Sequence, residues 1–154
     1  MAKLHLFGHM DKNFVKVGNK VIKYVTPVGT LGDCNGQYYA HLHFSISEGL
    51  TPAELKAYVS GWPSKKVRTY YRDPKGVDFE KMFGRKMDVG NFGYDWLQWI
   101  DYGWHPGVDV NGLGGGNTDF GMPFKSSVTG TVIYEWRGWT KNHGFGNLII
   151  ISEE

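Results

Sequence analysis

Apolar and polar side chains alternate over short segments of this chain, and glycine, proline and asparagine separate the segments. An alternation with a period of two is typical of β-strands. The chain also contains 22 glycines, 9 tyrosines and 9 phenylalanines, a composition that favours strands joined by turns. We therefore predict a mainly β fold. The predicted strands are residues 4–9, 20–24, 28–31, 38–47, 105–111, 125–134 and 147–152.

A helix signal follows the first group of predicted strands. Thr51 is a suitable N-cap, Pro52 suits the first helical position, and Glu54 completes a capping box. Gly61 and Pro63 should end this helix after about two turns. One short helix is therefore expected in the middle of the chain.

The region after this helix is more polar. Residues 65–74 are expected to form an extended edge segment. Residues 78–83 should form a single helical turn that Gly84 closes, because glycine is favoured just after a helix. Residues 84–88 have the polar composition of a linker. The chain should therefore contain only one or two short helices.

Length and charge limit the classes of protein to which the chain can belong. At 154 residues it is expected to form one domain, residues 1–154, around one core. Its 17 basic and 15 acidic residues are scattered without a run, so no clustered nucleic-acid interface is expected. The first residues lack the apolar stretch of a secretion signal, and no segment approaches a membrane span. The sequence does not encode where the protein acts.

The single cysteine, Cys34, narrows the chemistry. One cysteine cannot form an internal disulfide or a zinc ribbon, so a bound metal would need histidine and carboxylate ligands. Cys34 itself has two interpretations, a catalytic nucleophile or, more commonly for a lone cysteine, a packed bystander thiol.

Two of the six histidines, His41 and His43, lie in one predicted strand. Side chains two positions apart in a strand project from the same face, about 7 Å from each other. Such a pair can fill two roles at one metal ion. Surface exposure or cross-strand packing is the alternative interpretation of this pair, so it needs support from a second motif.

His105 and Asp109 provide that support. Pro106 and Gly107 disfavour a helix between them, and in an extended segment a spacing of four places both side chains on the same side. Imidazoles and a carboxylate are ligands of catalytic zinc sites, which use three protein groups and leave one position open. In the alternative structural interpretation, Asp109 only fixes a turn or bonds to His105.

A further histidine, His9, ends the first predicted strand and is a candidate for the same site. His5 and His143 have weaker claims and are left out of it. The aromatic stretch at residues 92–104 predicts core packing more readily than a substrate-stacking platform. The glycine-rich segment 112–117 is interpreted as a hairpin turn rather than a phosphate-binding loop, because no helix pattern follows it.

Taken together, these motifs resemble the lysostaphin/LytM type of zinc metallopeptidase. That family combines a His-x-x-x-Asp motif, an aromatic-x-His motif and a His-x-His motif. The resemblance covers residues 92–152 and 4–44, and it implies an antiparallel β-sheet domain of that type. The matching motifs here are His105 to Asp109, Phe7-Gly8-His9 and His41-Leu42-His43, with similar surrounding segments at 119–134, 144–150 and 17–32.

The order of the motifs is circularly permuted relative to the family. Residues 1–83 resemble the C-terminal half of the usual order, residues 84–91 a joining linker, and residues 92–154 the N-terminal half. The resemblance then implies that residues 149–151 pair with residues 4–7 as antiparallel strands. Exchange of halves between two copies is a second route to this order, so a strand-exchanged homodimer is an alternative expectation.

The resemblance also implies a division of roles. His105, Asp109 and His43 would bind Zn²⁺, whereas His41 and His9 would stay off the metal and face the site. His41 is then the expected general base, and His9 the expected donor to the oxyanion. The implied substrate is a peptidoglycan stem or cross-bridge peptide, which places the action at a bacterial cell wall.

Two other functions stay open. A family member without catalysis would serve as a cell-wall binding or regulatory module, although all five expected positions are filled here. A metal-free β-domain that binds wall glycans through its aromatic residues is the more distant alternative. In the peptidase interpretation, aromatic loops around Trp104, Trp136 and Trp139 are expected to line the substrate groove.

Overall fold

A computed structural model of the chain describes residues 2–56, 64–100, 103–139 and 144–154. The predicted mainly β architecture is confirmed, and the strand pairings are antiparallel. Its strands are β1 (Lys3–Asn13), β2 (Lys20–Val21), β3 (Pro27–Leu31), β4 (Leu42–Glu48), β5 (Tyr71–Arg72), β6 (Met87–Val89), β7 (Trp99–Ile100), β8 (Gly103–Trp104), β9 (Val108–Gly112), β10 (Pro123–Lys125), β11 (Gly130–Trp136) and β12 (Asn147–Glu153). The described helices are α1 (Pro52–Lys56), α2 (Ser64–Tyr70) and α3 (Phe79–Phe83), with a 3₁₀ turn at Pro74–Gly76.

Ten of these strands form one sheet around β1. Its main path runs in the order β2-β11-β12-β1-β4-β9-β6, and β7 and β8 form a separate hairpin. On one side β1 pairs with β12, where Leu6 lies opposite Ile150 and Phe7 opposite Ile149. This is the pairing expected from the permuted motif order, and it is confirmed. Both strands of this pair belong to the same chain.

Apolar residues cover both faces of the sheet, because neighbouring residues of a strand point to opposite sides. Leu6 and Ile150 belong to one buried cluster, together with Leu55 and Val67 from the helices. Phe7 belongs to the other cluster. Burial on both faces explains the uninterrupted apolar run at residues 148–151 of β12.

The helix that begins at Pro52 has the predicted cap. The Glu54 N–H donates to the Thr51 hydroxyl at 3.2 Å, and the Thr51 N–H donates to the Glu54 carboxylate at 3.1 Å. The predicted end of this helix at Gly61 and Pro63 lies outside the described residues. None of the described helices has the length and hydropathy of a membrane span.

The prediction of an extended edge segment at residues 65–74 is largely wrong. Residues up to Tyr70 form α2, and only Tyr71 and Arg72 extend as a strand beside β4. Val67 and Tyr71 are both buried, four positions apart, among more exposed residues. A spacing of four suits the face of a helix as well as that of a strand, so this pair did not distinguish the two. The described residues contain three short helices, so the prediction of one or two is wrong.

The polar segment predicted as a linker contains a strand. Within residues 84–91, β6 pairs with β9, where Val89 lies opposite Val110. Upstream, the predicted turn is confirmed: Asp78 caps α3 by accepting from the Lys81 N–H at 3.0 Å, and Gly84 ends it with a φ of 73°. A short edge strand of three residues carries too little alternation to be recognised from sequence.

A buried histidine pairs with a serine on the face of β1 that holds Phe7. His5 Nδ1 lies 2.6 Å from the hydroxyl oxygen of Ser127, and its ring contacts Phe44 edge-on. Burial, followed by the charges of Lys23 and Lys3, lowers the pKa of His5 to about 4. His5 therefore stays neutral in the fold at a pH where the unfolded chain binds a proton.

We predict that His5 makes stability fall with acid. Between about pH 6.5, its ordinary pKa, and pH 4 the unfolded state binds more protons, so the free energy of unfolding decreases as the pH falls. Over this range the free energy of unfolding of the His5→Gln variant should fall by up to about 3 kcal/mol less than that of the parent. The variant keeps a polar partner for Ser127. Urea unfolding of metal-free protein measures this difference. Parallel pH curves for the two proteins would contradict it.

Candidate metal centre

The pairing of β4 with β9 brings two polar side chains together. His43 lies directly opposite Asp109, while Phe44 and Val108, the next residue pair, face the core. Residues directly opposite each other in an antiparallel pair have Cβ atoms about 5 Å apart. The register of these strands therefore sets the distance between the imidazole and the carboxylate.

His105 completes a cluster of three buried side chains. Asp109 Oδ1 lies 3.4 Å from His105 Nε2 and 3.5 Å from His43 Nδ1. These distances exceed the 2.7–2.9 Å of a good charge-assisted hydrogen bond. They are close to the separation of roughly 3.3 Å expected between neighbouring ligand atoms about 2.0–2.1 Å from a tetrahedral zinc ion. Asp109 Oδ1 is buried and has no hydrogen-bond partner among the described residues, so the cluster fits a cation.

A loop contact fixes which nitrogen of His105 faces Asp109. His105 lies between β8 and β9 rather than in one continuous strand, and its main-chain N–H donates to the Gln98 carbonyl at 2.8 Å. On the ring, Nδ1 is 3.2 Å from the carbonyl oxygen of Asp95. A carbonyl only accepts, so Nδ1 carries the proton and the Nε2 lone pair is available to a metal.

The same loop holds the second oxygen of Asp109. The Tyr94 N–H donates to Asp109 Oδ2 at 2.9 Å, and the Asp109 N–H donates to the Tyr94 carbonyl at 2.9 Å. The neighbouring Gly93 packs tightly here, because a Cβ at this position would lie 2.7 Å from the Asp109 Cβ. One carboxylate oxygen is thus held by the main chain, and the other is left to the histidines.

Asp88 shapes this loop from its beginning. Its carboxylate accepts from the main-chain N–H groups of Asn91 at 3.1 Å and Phe92 at 2.8 Å. Gly90 lies between Asp88 and Asn91, and its N–H donates to the carbonyl of Asp109 at 2.9 Å. Part of the segment predicted as a linker therefore positions a candidate ligand. The Asp-x-x-Asn spacing was the available sequence signal for this turn.

The surroundings of the cluster favour an ionised Asp109 carboxylate and a neutral His105. Burial acts to raise the pKa of Asp109, but contact with His43 and the charges of the surrounding histidines outweigh it, and the net shift is downward. Burial lowers the pKa of His105 to about 4, against the opposing effect of Asp109. Ionised carboxylate and neutral imidazole are the protonation states that bind a metal.

His41 lies beside the cluster rather than within it. Its Nδ1 is 2.7 Å from the carbonyl oxygen of Tyr39, which fixes the proton on that nitrogen. In the neutral ring Nε2 is then the acceptor, and it lies 3.8 Å from Asp109 Oδ2. His41 lies just before β4 and forms a single bridge with Gly32. The strand predicted for residues 38–47 therefore begins later than expected, at Leu42.

His9 reaches the same space through an irregularity in β1. The register with β12 shifts between Phe7 and Met10, and His9 has a φ of 61°. In a regular strand His9 would share the face of His5, whereas this β-bulge turns its ring to within 4.6 Å of the ring of His41. Burial, then the charges of His41 and His43, lower the pKa of His9 well below its ordinary value.

An open cleft of about 310 Å³ leads to Asp109 and His41. Tyr39, Phe92 and Tyr94 supply its aromatic lining. The tryptophans expected around the groove have other contacts: Trp104 and Trp136 pack against the buried cluster that contains Leu6, and Trp139 packs on Gly146. Of the aromatic residues in the stretch 92–104, Phe92 and Tyr94 thus line the cleft.

The remaining candidates lie outside the cluster. Cys34 is fully buried, and its thiol donates to the Gly144 carbonyl at 3.3 Å. Burial, followed by the charge of Asp33, raises the pKa of this thiol, which disfavours a nucleophile. His143 lies outside the described residues, and the glycine-rich segment after β9 forms turns.

Comparison with known proteins finds no matching family model, no matching curated protein and no matching solved structure. The case for a function therefore rests on the motifs and on the geometry of the site.

We predict that the three clustered residues control metal affinity. His105→Ala or Asp109→Asn should lower Zn²⁺ affinity more than about 100-fold, because changes in outer-shell residues alone cost about 10–100-fold. His5→Gln is the matched control, since His5 lies on the other side of β1. Competition with a chromophoric chelator measures the affinities. Equal affinity in all three variants would contradict the assignment.

A second prediction concerns the glycine that packs on Asp109. Gly93→Ala should lower Zn²⁺ affinity about 10–100-fold, because the added methyl group must displace the Asp109 side chain. Gly76→Ala is the control, since a Cβ at that position meets nothing within 4 Å. The same chelator competition, with the melting temperature of each metal-free variant, separates a site effect from a folding defect. Loss of affinity in both variants would count against the steric explanation.

Proposed function

We propose that this chain is a zinc-dependent endopeptidase that hydrolyses peptide bonds in bacterial peptidoglycan. The observation that carries the proposal is the buried Asp109 oxygen that lies 3.4–3.5 Å from one nitrogen of His105 and one of His43. Two imidazoles and one carboxylate are a ligand set of catalytic zinc, which keeps a coordination position open. The open cleft beside Asp109 gives a substrate access to that position.

Each of the three ligands is prepared for its role by the chain itself. The Asp95 carbonyl keeps the proton of His105 on Nδ1, and the Tyr94 N–H occupies the second oxygen of Asp109. Such outer-shell contacts orient ligands and hold their protonation states. When bound there, Zn²⁺ supplies Lewis-acid polarisation of a carbonyl and activation of water near neutral pH.

His41 is the proposed general base. The Tyr39 carbonyl accepts from the proton on Nδ1, so the neutral ring has its lone pair on Nε2. This nitrogen lies on the Asp109 side of the cleft. It would accept a proton from the attacking water and later return one to the leaving amine. The His41 side chain keeps 13% of its surface exposed and borders the open cleft, so a water molecule can approach it.

His9 is the proposed stabiliser of negative charge. Its ring lies 4.6 Å from that of His41 and 6.0 Å from that of His43, so all three border one space. His9 Nδ1 is buried without a hydrogen-bond partner among the described residues. An N–H held in such a place would stabilise the charge that develops on the scissile carbonyl oxygen.

The peptidoglycan substrate rests on the motif set rather than on a particular contact. The His-x-x-x-Asp, aromatic-x-His and His-x-His motifs together resemble the lysostaphin/LytM type of peptidase. The cleft is open and partly aromatic, which suits an extended peptide with small side chains. Action at the cell wall follows from this substrate.

We predict that His41→Ala keeps its zinc while its turnover falls about 10²–10⁴-fold, the usual effect of removing a general base. The test is zymography on bacterial cell walls together with zinc analysis of each purified protein. His5→Gln is the control that should match the parent in both measurements. Chelation should abolish clearing, and added Zn²⁺ should restore it.

The outcomes of this experiment separate the candidate functions. Zinc binding without clearing by the parent protein would favour a cell-wall binding module over an enzyme. Absence of zinc binding would remove the metal centre and the peptidase together. Loss of zinc in the His41 variant would mean that His41 is a ligand and that the two histidines of the pair have exchanged roles.

A further inference from the structure

A second open pocket, of about 390 Å³, adjoins the cleft at the metal centre. It is lined by Asp33, Gly36, Gln37, Tyr38, Tyr39 and Asn117. Tyr39 also lines the cleft, and 72% of its surface is exposed. The next residue, Ala40, is held from both sides: its carbonyl accepts from Asn111 of the cleft at 3.2 Å, and its N–H donates to Asn117 of the pocket at 2.8 Å. The cleft and the pocket are therefore neighbours that share one exposed ring.

Hydrogen bonds within one loop shape this pocket. The Tyr38 N–H donates to the Asp33 carbonyl at 3.0 Å, and the Gly36 N–H donates to Asp33 Oδ1 at 3.0 Å. The buried thiol of Cys34 joins the loop to the interior, because it donates to the Gly144 carbonyl at 3.3 Å. The walls of the pocket are thus formed without a ligand, as is usual for binding sites.

Asp33 gives the pocket a negative charge that a ligand can reach. Its Oδ2 is open to solvent and makes no hydrogen bond or ion pair with a described residue. Among the described residues that line the pocket, none carries a positive charge. Tyr38 and Tyr39, 43% and 72% exposed, supply aromatic surface beside this carboxylate. An accessible carboxylate next to aromatic rings suits a cation carried on an alkyl chain.

We infer that this pocket is a subsite for a protonated amino group on a side chain of the peptide bound in the cleft. The inference rests on the proposed function, because it takes the cleft as the peptide site. A lysine-type side chain has a flexible stem of four carbons that packs on apolar surface while its ammonium group stays in polar surroundings. Its stem would cross Tyr39, and its ammonium group would meet Asp33. Because the pocket lies at a fixed place beside the cleft, it would recognise the amino group on one particular residue of the peptide.

Synthetic peptides with blocked ends test the inference by equilibrium binding. The probes are pentaglycines in which one residue at a time is replaced by lysine or by norleucine, which has the same four-carbon chain without the amino group. Binding is followed by NMR titration of the zinc-loaded His41→Ala protein, which should not consume the peptides. At one position lysine should bind about fivefold more tightly than norleucine, the upper range for a partly exposed ion pair. The main-chain N–H signals of Gly36 and Gln37 should shift with that lysine peptide and not with its norleucine counterpart.

A matched pair of variants separates the pocket from the net charge of the protein. Asp33→Asn removes the charge but keeps an acceptor for the Gly36 N–H, so the loop should be preserved. Added to His41→Ala, it should abolish the preference for lysine. Glu80→Gln, added in the same way, removes one negative charge from an exposed residue of α3 that does not line the pocket. In that protein the fivefold preference should persist.

Three results would overturn the inference. An equal preference for lysine at every position would indicate a general attraction between the peptide and the protein. Loss of the preference in the Glu80→Gln protein would indicate the same. Persistence of the preference in the Asp33→Asn protein would show that another group binds the ammonium.

Failure of this inference and failure of the proposed function give different results. A preference for lysine that depends on Asp33, without hydrolysis by the parent protein, supports the inference and removes the enzyme. Hydrolysis by the parent, with equal binding of lysine and norleucine peptides at every position, supports the enzyme and overturns the inference. Failure of all the peptides to bind the zinc-loaded protein also overturns it.

Discussion

The antiparallel pairing of β4 with β9 is the constraint on which the site depends. It sets His43 opposite Asp109 and, one residue further, Phe44 opposite Val108. The second pair is completely buried, so the hydrophobic core holds the register. A slip of one residue would turn the polar pair into the core and the apolar pair outward. The free energy of packing therefore also maintains the distance between two candidate ligands, although these strands come from distant parts of the chain.

Main-chain groups form several of the hydrogen bonds that orient the side chains around this pair. The carbonyls of Tyr39 and Asp95 fix the protons of two histidines, and the N–H of Tyr94 holds one oxygen of Asp109. Main-chain carbonyl and N–H groups are present whichever side chain the residue has. Contacts of this kind therefore depend on loop conformation, and Asp88 and Gly93 are important because they allow that conformation.

The sequence predicted the parts of the structure that have regular periods. Alternation located most of the strands, and the spacing within the His-x-His and His-x-x-x-Asp motifs indicated four candidate side chains. The structure brings three of them, His43, His105 and Asp109, into one cluster. It did not locate α2, because a single buried position, Val67, gives no helical period within that helix. It also could not predict that the ring of His9 turns toward His41, since a bulge that breaks the period of the strand is recognised only from the backbone.

At position 9 an unfavourable backbone conformation is combined with a proposed chemical role. A φ of 61° is unfavourable for residues other than glycine and costs on the order of 1 kcal/mol. Asparagine or glycine would adopt it more easily, yet neither presents an imidazole to His41 and His43. In the proposed function, the bulge of β1 costs a small part of the free energy of folding and places an imidazole beside His41 and His43. Directed evolution for thermal stability alone would tend to replace this histidine, whereas selection for the proposed activity would retain it.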